Sequence, residues 1–225
     1  MSFLTICQEV AQEAGLTGGT LPTNVVNQSG ELRRIVDWTR QAWIDIQRQQ
    51  RSWTFMNADM DSLVPAGAQI VDGLAIAPPV LNVGEWDENS FRVSIPGQIG
   101  TEVPLVFMTY RAFRDTYLVG QISVGMPAFI TVDRAKKLEW NVVSDRQYRL
   151  RGQYKRSLQR LQANDDDPYC SEDYADAIKW KALMYYAQYE EAGSIYSVAS
   201  SNFRQALTDM RNNCLPSIEW GGPLA

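Results

Sequence analysis

The chain has 225 residues, 45% hydrophobic and 21% charged, enough for one substantial domain or a helical body carrying a smaller insertion, and too apolar for wholesale disorder. A net charge of -5 opposes a firm grip on phosphates, and the lack of any histidine removes the commonest general base and metal ligand. Cys7, Cys170 and Cys214 are odd in number and lack CxxC spacing, which argues against a disulfide framework or a zinc site.

Residues 3–14 place Phe3, Ile6, Cys7, Val10, Ala11 and Ala14 at helical spacing, with Gly15 as a stop. The opening has no basic leader region, and no apolar run approaches the roughly 20 residues that span a bilayer, so a cytosolic product without membrane contact is expected. After the loop LTGGTLPTNVVNQ, Ser29 is the expected N-cap of a second helix running to about Arg51. Its stripe is Leu32, Ile35, Val36, Trp43 and Ile46, with Arg33, Arg34, Asp37, Arg40 and Gln47 off it.

From about Trp53 to Tyr154 glycines and prolines recur among alternating runs: FRVSI (91–95), VPLVFMTY (103–110), KLEWNVV (137–143) and YRLRGQY (148–154). These predict an antiparallel sheet or sandwich, interrupted by a helical turn at 111–120. Ser171 is the expected cap of a helix that reaches about Glu191. That helix is apolar on more than one side and therefore has to be buried on several sides, which suggests subunit packing. An amphipathic helix over 195–212 follows, and then NNCLPSIEWGGPLA, whose prolines and glycines forbid a long helix. The expected class is α+β: a helical body from 1–53 and 155–212, a β-rich insertion over 54–154, and an extended tail over 213–225.

No catalytic, metal or cofactor residue is predicted. The run NDDDPYCSEDY (164–174) fails as a calcium loop, because from Asp165 the fifth position is Tyr169 and the turning glycine is replaced by Cys170. A solvated junction that starts a helix is the simpler reading. GQISVG (120–125) has Gln121 where a nucleophile elbow needs glycine, and GLTGG lacks the Lys and Ser or Thr of a phosphate loop.

Two charged blocks stand out. Residues 146–160 hold six Lys or Arg, among them Arg146, Arg149, Arg151, Lys155 and Arg156; Asp165, Asp166, Asp167, Glu172, Asp173 and Asp176 follow. Either both are solvated faces, or they meet across a head-to-tail contact between copies, since a ring joins two different patches of one protein. In the tail, Leu215, Pro216, Ile218, Trp220 and Leu224 either fold back on the core or dock into a neighbouring protein with Trp220 as anchor.

The succession LTICQEVAQEAGL, RRIVDWTRQAWIDIQRQQRSWTFM, GMPAFITV, LEWNVVSDRQYRLRGQYKR, DDDPYCSEDYADAIKWKALMYYAQYEEA and YSVASSNFRQALTDMR resembles the head-to-tail adaptor proteins of tailed bacteriophages over about residues 3–212. The resemblance implies a non-catalytic dodecameric ring beneath the portal protein, in a virion neck made in the bacterial host cytoplasm. It also implies contacts with portal and with a downstream tail or nozzle protein, transient passage of genomic DNA, and a C-terminal segment that reaches the portal. The competing readings are a tail terminator or stopper ring, and a non-viral module that binds peptide or nucleic acid through the 146–160 face.

Overall fold

The computed structural model describes residues 1–16, 21–72, 76 and 79–216. The expected α+β class is what the chain adopts. It divides into two units, Met1–Met56 with Leu158–Ala225, and Asn57–Ser157.

In the helical unit, α1 (Phe3–Glu13) starts at Ser2, whose Oγ accepts from Thr5 N at 3.3 Å, and ends before Gly15, at φ 78° in the left-handed region glycine tolerates. Helix α2 (Gly30–Gln49) buries Ile35, Val36, Trp43 and Ile46. It also buries Gln47, which the stripe had placed on the polar side. Burial of an amide needs partners, and Gln47 has them in Gln159: Nε2 donates to the Gln159 carbonyl at 3.0 Å, and Oε1 accepts from its amide at 2.8 Å. The Gln159 side chain in turn accepts from Trp43 Nε1 and Tyr169 N, each at 2.9 Å, and donates to the Asp167 carbonyl at 2.7 Å.

A single 3-10 turn, Glu172–Tyr174, precedes α4 (Asp176–Tyr189), so the helix starts later than expected and Ser171 does not cap it. The Ser171 hydroxyl donates instead to the Asp173 carboxylate at 3.0 Å. Much of the many-sided apolar surface of α4 is covered within its own chain by α1, α2 and α5 (Gly193–Cys214), while Trp180 stays half-buried and Tyr189 exposed. Tyr185 of α4 donates its hydroxyl to the Asp45 carboxylate of α2.

The other unit contains β1 (Asn57–Val64), β2 (Ile70–Val71), β3 (Val83–Trp86), β4 (Arg92–Ser94), β5 (Val103–Pro104), β6 (Val106–Phe107), α3 (Tyr110–Tyr117), β7 (Val124–Gly125), β8 (Phe129–Val132), β9 (Leu138–Trp140), β10 (Val143–Ser144) and β11 (Tyr148–Arg156). One sheet runs β1-β11-β4-β5 with β3 also on β11, all antiparallel. A second runs β2-β9-β8-β6, and β10 pairs β7 in a third; β6–β8 and β7–β10 are parallel, a departure from the antiparallel expectation. Met60, Phe91, Val93, Ile130, Trp140 and Leu150 are among the side chains of its separate core. Gly152 has a packing reason: a Cβ there would lie 2.8 Å from Phe91 Cδ1 and 3.3 Å from Met60 Cε.

Candidate assembly surfaces

The basic strand comes first, because its alternation decides which arginines share a face. On β11, Arg149 and Arg151 are two apart and point the same way. Opposite them on β1, Asp61 pairs in register with Arg151. Arg149 grips the Asp61 carboxylate with both arms of its guanidinium, Nε to Oδ1 at 2.5 Å and Nη2 to Oδ2 at 2.7 Å. Arg151 adds Nε to Asp61 Oδ2 and Nη1 to Glu102 Oε2, both at 3.2 Å. The hydrogen bond from Arg149, helped by the charge of both arginines, holds the Asp61 carboxyl below its ordinary value.

Arg146 bonds Asp145 at 3.1 Å. The other Asp145 oxygen accepts from the Tyr148 hydroxyl at 2.6 Å. Burial, with that acceptor, pushes the Tyr148 phenol up to about 12. Lys155 and Arg156 end the strand half-buried, at a shift in its register with β3. The cations singled out at Arg146, Arg149 and Arg151 are therefore engaged by Asp145, Asp61 and Glu102 of the same unit.

The acidic run is a clasp around the start of α1. Asp166 Oδ2 accepts the backbone amides of Gln162 at 2.5 Å and Ala163 at 2.9 Å. The carbonyls of Asp166 and Asn164 accept the amides of Phe3 at 2.8 Å and Leu4 at 3.2 Å, donors that a helix start leaves without partners. Asn164 Oδ1 takes Val25 N at 2.8 Å. The Met1 ammonium lies 3.1 Å from Glu172 and 3.7 Å from Asp167. Asp165 is exposed, and Asp176 pairs with Lys179 at 2.9 Å.

Asp173 and Asp176 also line a cleft of about 460 Å³ with Tyr174 and Trp180, faced across α5 by Ala206 and Asp209. No three carboxylates or thiols converge on a cation position among the described residues. Burial pushes the Cys7 and Cys170 thiols up to about 12, which holds them protonated and unreactive.

The tail departs from the extended reading at its start. Helix α5 continues through Asn213 and Cys214, the Cys214 carbonyl accepts from Thr54 Oγ1 at 3.1 Å, and Leu215 packs against the helical core. Pro216 is exposed; Ile218, Trp220 and Leu224 lie outside the described residues. Reading the sequence missed Asp61, Glu102 and the Gln47–Gln159 pair, all of which sit far along the chain from the groups they satisfy.

The chain thus forms a helical body with a β-rich unit inserted in it, its conspicuous charges engaged in holding strands and helix ends. The chain belongs to the SU10 adaptor protein family, whose sequence model matches residues 1–224. The family is one of phage adaptors, structural in kind, and membership implies a virion component. No curated protein matches the chain. None of the helices among the described residues is long and apolar enough to cross a membrane.

Proposed function

We propose that the protein joins phage head to tail as a dodecameric ring beneath the portal protein, extends the DNA channel, and hands it on to a downstream tail or nozzle protein. Membership of the adaptor family carries this reading. The distribution of charge supports it. The helical unit has fifteen Asp and Glu against ten Lys and Arg, whereas the β-rich unit has eleven of each, so the whole net charge of -5 belongs to the helical unit. A lumen presenting those carboxylates repels passing DNA weakly and does not hold it. The segment beyond Leu215, with Trp220 as its aromatic anchor, is the portal-docking element.

Mass photometry of the purified chain, alone and with the portal protein, tests the reading. A ring-sized species that forms on the portal, and is lost when the chain is truncated after Leu215, is the expected result. A portal protein that neither binds nor templates the chain refutes it.

A further inference from the structure

The β-rich unit presents a mixed apolar and cationic patch around α3. Val106 pairs with Phe129, whose ring lies 5.3 Å from Tyr117 of α3, and the amide of Val106 donates to the carbonyl of Ala128. Val106, Val119 and Met126 are 55%, 73% and 39% exposed. Helix α3 buries Phe113 and turns Arg111 and Arg114, one turn apart, outward with Asp115. Unlike Arg149 and Arg151, these two arginines make no ion pair with a carboxylate among the described residues.

The helical unit presents the converse: the cleft whose walls are Tyr174 and Trp180 and whose rim is Asp173, Asp176 and Asp209. Lys179 offsets Asp176, which leaves Asp173 and Asp209 to face a visitor. Apolar surface with guanidinium groups on one unit matches aromatic surface with carboxylates on the other, and arginine over an aromatic floor beside a carboxylate is a strong pairing.

We infer that the occupant of this cleft is the α3 patch of a second copy of the chain, Arg111 and Arg114 meeting Asp173 and Asp209, with Val106 and Val119 against Trp180. The contact is heterologous, so each copy offers one patch and one cleft, as the repeated contact of a ring requires. The inference rests on the ring reading and names the surfaces that build it. Of the acidic block singled out in the sequence this contact keeps Asp173 and adds Asp209, while the basic partner moves from β11 to α3.

Charge reversal tests it on the full-length protein by sedimentation velocity, with and without portal protein. Arg111→Glu with Arg114→Glu, and separately Asp173→Lys with Asp209→Lys, each weaken self-association on the order of a hundredfold, because like charges then face each other. An equimolar mixture of the two variants assembles again, since each reversed surface finds its complement on the other variant and alternate copies close the ring. All four positions are exposed, and unchanged far-UV circular dichroism verifies that the variants fold. If the wild type assembles and both variants assemble equally well, or the mixture stays apart, these surfaces are wrong while the ring stands. If the wild type never assembles, even on the portal protein, the ring and the contact fall together.

Discussion

Replacing Gln159 with alanine removes the acceptor of two donors at once, the indole Nε1 of Trp43 and the amide of Tyr169, together with the donor to the Asp167 carbonyl. Trp43 is fully buried, so its N–H has no water to turn to. A buried group left without a partner costs about 1–3 kcal/mol, and lost bonds at the more open end of the network add about 1 kcal/mol, so roughly 2–4 kcal/mol is expected. At this chain length that corresponds to a fall in Tm of roughly 5–15 °C. The backbone of Gln159 still pairs with Gln47, so Gln47→Ala has its own cost, and the double variant loses less than the sum of the two. Denaturant melts followed by far-UV circular dichroism measure all three. Single-variant losses below about 0.5 kcal/mol, or strict additivity, would refute the idea that this network locks the chain as it re-enters the helical body.

Glu139 is buried with one carboxylate oxygen lacking a hydrogen-bond partner, and burial, helped by Asp133, raises its pKa. A raised carboxyl favours the folded state below its unfolded value and loses that advantage as pH climbs through the folded one. Glu139→Gln should therefore stabilise the protein at pH 7 and change little at pH 4; thermal melts at the two pH values check it. Asp61 shifts the opposite way, so its contribution is present above the unfolded value and fades on acidification through the folded one. Because the pair is partly exposed, Asp61→Asn should cost no more than about 1 kcal/mol at neutral pH and flatten the acid limb of the stability profile. Gly152→Ala drives a methyl into Phe91 and Met60 and should cost about 1–3 kcal/mol by overpacking, read in the same melts.

Local periodicity made α1, α2 and α5 legible, because each carries one apolar stripe that its own residues announce. Helix α4 was legible as a helix but not in its start: Ser171 has the chemistry of a cap, yet its hydroxyl is taken by Asp173 and the first turn tightens to 3-10. Strand β1 escaped notice because the buried Ser62 sits between Met60 and Val64 on the inward face and breaks the apolar alternation.

The site was harder to read than the fold. Arg149 and Arg151 were recognisable as one face of a strand, but the carboxylate that engages them is contributed from 88 and 90 residues away. Only the antiparallel register of β1 on β11 brings it there. Gln47 has the same history, read as solvent-facing because it is polar and buried because its partner arrives 112 residues later. A distant partner leaves no mark on local periodicity.

The pairing of β1 with β11 has a mechanical consequence. The chain enters the β-rich unit through β1, which begins at Asn57, and leaves it through β11, which ends at Arg156; Asn57 and Lys155 are Cα partners at that end of the ladder. A pull between the two units is then divided between two backbone tethers that run side by side. Both tethers belong to one hydrogen-bonded ladder, so the β-rich unit is anchored through two strands already paired with each other.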